Sequence, residues 1–575
     1  MEGFDVGRTH DDRGVAADAA GRTTAAGAVA EPTVVDRERA EARARAMFER
    51  WGAPEIRLAS ALCDEHPPDA VAYTLVEPGL TITDLTYREL RERSERIAAA
   101  LADLGVGPGD RVATLMAKSV DLVSTVLAIW RRGAVHVPLF TAFAPPAIAL
   151  RLEGGQAKAV VVDAEQRAKL PDGGERPVIL AGGAPRAGDL PLEDLLARHE
   201  PGIPAETVSA ADPFLLIFTS GTTGQPKGVP MPVHGIGGME SYLVHGYDLR
   251  PEDVYWNIAD PGWAYGLYYA IVGPLAVGHR SILACAPFGT GLTWQIMSEL
   301  QVTNFAGAPT VYRALRNAPD PVPDDLVLRC LSSAGEPLNP DVIAWAEQTL
   351  GVPIRDHYGQ TELAMVIANA WHLDLRRPLK PGSMGQPLPG WTVDVLGDDT
   401  DEPAPAGAFG RLAIDRTASP AMPFSGYHGA PERTAERMTA DGRWYVTGDV
   451  ARRDEDGYYT FSARDDDVIL MAGYRIGPFE VESALVEHAA VAEAAVIGVP
   501  DELRGEVVEA YVVLAAGHAA SDELAKELQQ QVKDRYAAHA YPRAVHFTDA
   551  LPKTPSGKVQ RFVLRERRAA ELAGA

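Results

Sequence analysis

The tightest constraint on this chain lies at residues 214–228. The apolar run Phe214-Leu215-Leu216-Ile217 leads directly into Phe218-Thr219-Ser220-Gly221-Thr222-Thr223-Gly224-Gln225-Pro226-Lys227-Gly228. A short apolar run of this kind reads as a buried strand. The loop that follows joins glycines, whose backbone passes close to phosphate oxygens, to hydroxyl donors and a lysine point charge. Thr219, Ser220, Gly221, Thr222, Thr223, Gly224 and Lys227 are therefore candidate phosphate ligands. The loop is not a Walker A motif, because Pro226 stands where that motif needs its second glycine. A lone Gly/Ser/Thr string is usually just a loop; the length of this one and the strings downstream argue otherwise.

Strand and helix patterns alternate from about residue 86 to about residue 390, which calls for an α/β architecture with largely parallel sheets. Thr86-Tyr87-Arg88-Glu89 fits a capping box, followed by Leu90, Ile97 and Leu101 at helical spacing and a stop at Gly105. Arg111–Leu115 and the near-continuous apolar Ala159-Val160-Val161-Val162 read as strands. A more β-like stretch follows, with strands at 410–414 and 444–446. Residues 466–575 form a second, smaller α+β unit with strands at 491–499 and 510–514. Residues 35–51 read as a helix closed by Met47, Phe48 and Trp51. Residues 1–32, rich in Ala, Gly, Asp and Arg without apolar periodicity, are expected to be a disordered tail. The expected domains are thus 33–465 and 466–575.

At 575 residues the chain is too long for a single hydrophobic core. Its formal charge of −25 argues against a general nucleic-acid binder. Cys63, Cys285 and Cys330 lack the spacing of a metal site or disulfide framework and are expected to be reduced. No apolar stretch reaches the ~18 residues of a membrane span, and the acidic N-terminus has no signal-peptide core. The expected location is cytoplasmic.

Six further strings follow the loop: Ser333-Ala334-Gly335-Glu336-Pro337-Leu338-Asn339, Tyr358-Gly359-Gln360-Thr361-Glu362, Tyr445-Val446-Thr447-Gly448-Asp449, Ala463-Arg464-Asp465-Asp466-Asp467, Gly473-Tyr474-Arg475-Ile476 and Pro552-Lys553-Thr554-Pro555-Ser556-Gly557-Lys558. Together with the loop they resemble, in order, the signatures of the adenylate-forming superfamily: acyl-CoA synthetases, luciferases and peptide-synthetase adenylation domains. The resemblance spans roughly residues 45–570. It implies a large N-terminal domain, a small mobile C-terminal domain hinged at Asp466, and ATP, Mg²⁺ and CoA as reactants and cofactor.

Carried over residue by residue, the resemblance assigns Lys558 to the carboxylate and phosphate during adenylation. Glu362 would hold Mg²⁺, and Thr361 a phosphate. Tyr358 offers a face to adenine and Asp356 an acceptor for its amine, with Gly335, Glu336 and Pro337 on the other side. Asp449 and Arg464 would take the ribose, and Arg475 would lie near the phosphates. Ala472 and Gly473 would line the CoA thiol tunnel once a hinge rotation removes Lys558. Asp260-Pro261-Gly262-Trp263-Ala264-Tyr265-Gly266 resembles the acyl pocket of acetyl-CoA synthetases, with Ala334 and Gly359 completing it. Strict acetate enzymes carry tryptophan where this chain has Gly359. The missing indole is expected to leave room for methylenes, each worth ~0.8 kcal/mol when buried. Pro555 departs from the arginine of many acetyl-CoA synthetases, which weakens any carry-over of control by acetylation at Lys558.

The expected activity is AMP-forming acyl-CoA synthesis on short- to medium-chain acids longer than acetate, or on aromatic acids. An adenylating enzyme that loads a carrier-protein phosphopantetheine is the nearest alternative. A ligand-sensing relative without catalysis is disfavoured, because Lys558, Glu362 and Asp449 are all present. The expected partners are small molecules: the acid, ATP and CoA. A homodimer remains open as the assembly.

Overall fold

The structure is a computed structural model that describes residues 36–172, 174–219, 226–471, 474–501, 503–554 and 558–573. The expected tail at 1–32, the loop residues Ser220, Gly221, Thr222, Thr223 and Gly224, and the tunnel residues Ala472 and Gly473 lie outside this description.

Two large sheets carry the N-terminal part. The first has seven strands in the order Asp189–Pro191, Val178–Ala181, Ala159–Asp163, Arg111–Leu115, Val135–Pro138, Pro213–Thr219 and Lys227–Pro232. Every pairing is parallel except the last, where Pro213–Thr219 turns back onto Lys227–Pro232. Val160, Val161 and Val162 are covered on both faces, as a near-continuous apolar strand requires. The second sheet has nine strands and runs from Gln386–Pro387 through Ile354–Gln360, Cys330–Ala334 and Asn304–Gly307 to Val71–Glu77 and Thr81–Thr86. Its centre is parallel and its two edges are antiparallel.

The helices obey the local signals. Helix Tyr87–Asp103 opens with a reciprocal cap, in which Glu89 N–H donates to Thr86 Oγ1 (3.3 Å) and Thr86 N–H donates to Glu89 Oε2 (2.8 Å). Gly105, at φ +73°, leads the chain away from it. Helix Arg37–Trp51 packs on helix Ile236–His245, and the Trp51 indole donates to Glu240 Oε2 at 2.6 Å. Cys63, Cys285 and Cys330 are free thiols, and burial pushes each up to about 12. No helix among the described residues is long and apolar enough to cross a membrane.

The expected β-rich stretch is a four-stranded antiparallel sheet of Val393–Leu396, Phe409–Asp415, Trp444–Arg453 and Tyr459–Arg464. After the short turn Asp465–Asp467 comes a unit with its own apolar core of Ile469, Val481, Leu485, Val496, Val508, Leu528 and Val532. Its centre is the hairpin Val491–Asp501 and Gly505–Leu514, flanked by Ile469–Met471 and Tyr474–Ile476 on one side and Ala544–Phe547 on the other. This unit meets the rest of the chain through helix Pro478–Val486. Phe479 faces Phe461 at a ring separation of 6.4 Å, and Asn339 Nδ2 donates to Ser483 Oγ at 3.2 Å.

Candidate active site

Strands Pro213–Thr219, Cys330–Ala334 and Ile354–Gln360 end at one cavity of about 1340 Å³, at the carboxyl edge where α/β sheets bind ligands. Thr219, Lys227, Gly335, Glu336, Pro337, Asp356, Tyr358, Thr361, Glu362, Asp449, Arg464, Asp466 and Lys558 line it, as do Trp263, Ala264, Tyr265, Ala334 and Gly359. The backbone of Arg475 sits in strand Tyr474–Ile476 opposite Leu470, and its side chain lies outside the description.

The turn between strands Ile354–Gln360 and Ala364–Ala368 is held from several sides. Gln360 Nε2 donates to Thr447 O (3.0 Å) and Asp449 Oδ2 (2.7 Å). Tyr268, fully buried, donates to Thr361 O at 2.9 Å, and Tyr427 donates to Glu362 Oε1 at 2.9 Å. Met365 N–H donates to the Tyr269 hydroxyl at 3.0 Å. Ala364 adopts φ +61°, a left-handed conformation that costs a non-glycine residue roughly 1–2 kcal/mol. These contacts fix the strained turn that presents Thr361 and Glu362 to the cavity.

Asp449 is buried and accepts from three donors. Tyr358 OH and Gln360 Nε2 both reach Oδ2, and Arg464 reaches Oδ1 at 2.9 Å. Strand register puts Asp449 opposite Arg464 and so creates this pair. The charge of Asp449 holds Arg464 above its ordinary range, while burial keeps the Tyr358 phenol protonated.

At the other wall, Asp356 is buried and its Oδ1 has no partner among the described residues. Burial raises its pKa well above the carboxylate range, despite backbone donors at Leu338 and His357. An oxygen in that state is an acceptor without a donor, which fits an amine arriving with a ligand. Gly335, at φ +101° with nothing within 4 Å of where a Cβ would stand, lets the chain turn along the same wall. Arg313 holds the next residue, Glu336, at 2.9 Å.

Lys558 reaches the cavity from the C-terminal unit, its backbone fixed by Thr554 Oγ1 at 3.0 Å. The side chain lines the cavity and keeps solvent access. Burial lowers its pKa, and the carboxylates of Glu336, Asp449 and Glu362 partly offset that effect.

The acyl-pocket residues meet at one end. Trp263 packs against Phe140 (5.2 Å) and Phe143 (5.6 Å). The Tyr265 hydroxyl is 2.7 Å from that of Tyr247. Gly359 differs from the expectation. A Cβ there would lie 2.1 Å from Ala364 O and 2.8 Å from Met365 Cα, because a bulge between Tyr358 and Gly359 brings the next strand inward. The glycine relieves a backbone collision at a position that also lines the cavity. Gly359→Ala is expected to lower stability by about 1–3 kcal/mol. Equilibrium denaturation checks this, and an unchanged midpoint would mean that the bulge relaxes freely.

Several participants have no signal in the sequence reading. Gln360 lies inside the string Tyr358-Gly359-Gln360-Thr361-Glu362, but nothing local marks it as a partner of Asp449. Tyr427 and Arg437 come from loops without a recognisable pattern. Lys118 lines the far end, where its ammonium donates to Ile258 O (2.8 Å) and faces Asp260. Burial disfavours both charges, lowering the pKa of Lys118 and raising that of Asp260. Only the fold brings these four to the cavity.

Residues 60–428 match the family described as AMP-binding enzyme, and residues 480–558 match its C-terminal domain. The chain belongs to the AMP-binding enzyme family. It is an AMP-forming acid–thiol ligase with the fold of the adenylate-forming superfamily. It is 38% identical over 493 residues to an acetyl-coenzyme A synthetase of Bacillus subtilis (strain 168), covering 84% of each chain. An acyl-CoA synthetase structure from Brucella canis is 42% identical, with a TM-score of 0.72 over 94% of this chain and 100% of that one. The anthranilate CoA ligase AuaEII, in complex with anthranoyl-AMP, is 28% identical, with a TM-score of 0.81 over 91% of this chain and 98% of its own.

Proposed function

We propose that this ligase activates a carboxylic acid longer than acetate, or an aromatic one, and transfers it to CoA. The observation that carries the reading is the convergence of Lys558, from the C-terminal unit, with Glu362, Asp449 and Tyr358 in one cavity. In the first step a carboxylate oxygen bonds to the α-phosphorus of ATP and the bond to the β-phosphate bridge breaks, giving acyl-AMP and pyrophosphate. Carboxylate and triphosphate are both anionic, so an aligned cation is the main requirement. Lys558 supplies it. Asp449, with Arg464, receives the ribose hydroxyls, and Tyr358 and Asp356 hold adenine against the Gly335-Glu336-Pro337 wall. In the second step the CoA thiol loses its proton and attacks the acyl carbon, and AMP leaves.

Glu362 fits Mg²⁺. One of its oxygens takes the Tyr427 hydroxyl, and no group of three His, Cys, Asp or Glu gathers among the described residues to form a closed protein site. A hard cation held by one carboxylate, phosphate oxygens and water matches that donor set. When bound, Mg²⁺ neutralises charge on the phosphates.

We further infer that residues after Asp466 move as a body between the two steps. The separate core beyond residue 469 and the short turn at Asp465–Asp467 support this division. Ala264 and Ala334, small side chains on the cavity wall, support an acyl group above two carbons.

Pyrophosphate release with ATP and Mg²⁺ across acetate to dodecanoate, benzoate and phenylacetate, with and without CoA, tests the reading. Turnover that needs CoA and peaks above two carbons is the expected result. Preference for acetate would reject the substrate class, and release indifferent to CoA would point to a carrier-protein acceptor.

A further inference from the structure

We propose that Arg437 is the side chain that grips the β- and γ-phosphates of ATP and the pyrophosphate they become. This rests on the ligase reading above, and the sequence strings gave no sign of it. Arg437 follows the short helix Pro431–Ala435, and its carbonyl accepts from Val446 N–H at 2.7 Å, so its backbone is pinned to strand Trp444–Arg453. Its guanidinium lies against Gly448, where a Cβ would stand 2.2 Å from one terminal nitrogen and 3.2 Å from Cζ. The missing side chain at Gly448 is what admits the guanidinium to the cavity it lines.

The surroundings are those of an anion site. Lys227 Nζ sits 5.0 Å from the centre of the Tyr427 ring, and the Tyr427 hydroxyl donates to Glu362 Oε1. Arg437 approaches the same tyrosine. Among the described residues, no carboxylate lies within ion-pair distance of Arg437. Burial and the charges of Arg437 and Arg433 depress the pKa of Lys227, and Glu362 and Glu436 only partly offset them. Cations thus crowd one wall of a cavity in a protein with a formal charge of −25. A polyanion relieves that repulsion, and a planar guanidinium can hold two phosphate oxygens at once. The strained turn with Thr361 and Glu362 adjoins the same wall, at the phosphate end of a nucleotide whose adenine lies near Asp356.

Calorimetric binding of magnesium pyrophosphate and of AMP to the full chain tests the assignment without turnover. Arg437→Gln is expected to weaken pyrophosphate binding about tenfold or more, as the loss of a charge-assisted pair does, and to leave AMP within about twofold. Arg437→Lys, which keeps the charge and loses the fork, should fall between. In assays, Arg437→Gln should raise the KM for ATP and leave thioester formation from supplied acyl-AMP unchanged. Equal pyrophosphate affinity in wild type and Arg437→Gln, no pyrophosphate binding by wild type, or parallel loss of AMP binding would each overturn the proposal. Arg437-dependent pyrophosphate binding in a protein that releases none from ATP with any acid would instead sink the ligase reading and leave this site standing.

Discussion

Replacing Lys558 by alanine is expected to cut acid-dependent pyrophosphate release by at least about 10²–10³-fold, the scale seen when one preorganised donor to a developing charge is removed. Thioester formation from supplied acyl-AMP and CoA should persist. The asymmetry follows from where the lysine sits. Lys558 belongs to the C-terminal unit and enters a cavity also lined by Glu362, Asp449 and Tyr358 from the N-terminal part. In the proposed mechanism it acts where carboxylate meets α-phosphate, and that encounter is over once acyl-AMP exists. The pH profile gives a second handle. Burial lowers the pKa of this lysine, and adenylation needs its charged form. Lys558→Arg, which keeps a charge at any accessible pH, should remove whatever alkaline limb of the adenylation rate this lysine sets. Equal loss in both half-reactions would remove Lys558 from the adenylation step and make it a general structural support.

Much of this arrangement is legible along the chain because it depends on contiguous residues. The Thr86–Glu89 cap, the buried strand at 159–163 and the turn at Asp465–Asp467 are local events, set by side chains a few positions apart. The strings around Glu362, Asp449 and Lys558 are also contiguous, and the fold brings them to one cavity. What the chain does not disclose is pairing across it. Gln360 meets Asp449 through a separation of 89 positions, and Tyr427 meets Glu362 through 65. Gly359 shows the same limit from the other side. A glycine beside a pocket looks like added room, and the Ala364 carbonyl that would crowd a Cβ there becomes visible only with the register between strands Ile354–Gln360 and Ala364–Ala368.

The interface that delivers Lys558 should itself respond to pH through Glu480. This residue lies in the first turn of helix Pro478–Val486, against strand Tyr459–Arg464, and among the described residues neither carboxyl oxygen has an aligned hydrogen-bond partner. Ser462 Oγ is adjacent; a Cβ at Gly477 would stand 2.3 Å from it and 2.1 Å from Glu480 Oε2. The charged and titratable groups facing Glu480 are Arg452 from strand Trp444–Arg453, Glu482 on its own helix and Tyr536 beyond helix Asp522–Arg535. Arg561 already claims Glu482 at 2.8 Å. Burial therefore dominates and raises Glu480 from 4.5 to about 7. The sign follows directly. The docked state prefers the protonated acid, so its advantage is complete below about pH 4.5 and drains away as pH rises through about 7. Across that window the shift corresponds to on the order of 3 kcal/mol of docking, enough to change the docked population by about a hundredfold. Energy transfer between dyes on the two units, read from pH 5 to pH 8, should report progressive undocking in the wild type. Glu480→Gln, neutral throughout, should stay docked and flatten the profile. An identical pH response in that variant would place the titrating group elsewhere and leave Glu480 a passive part of the interface.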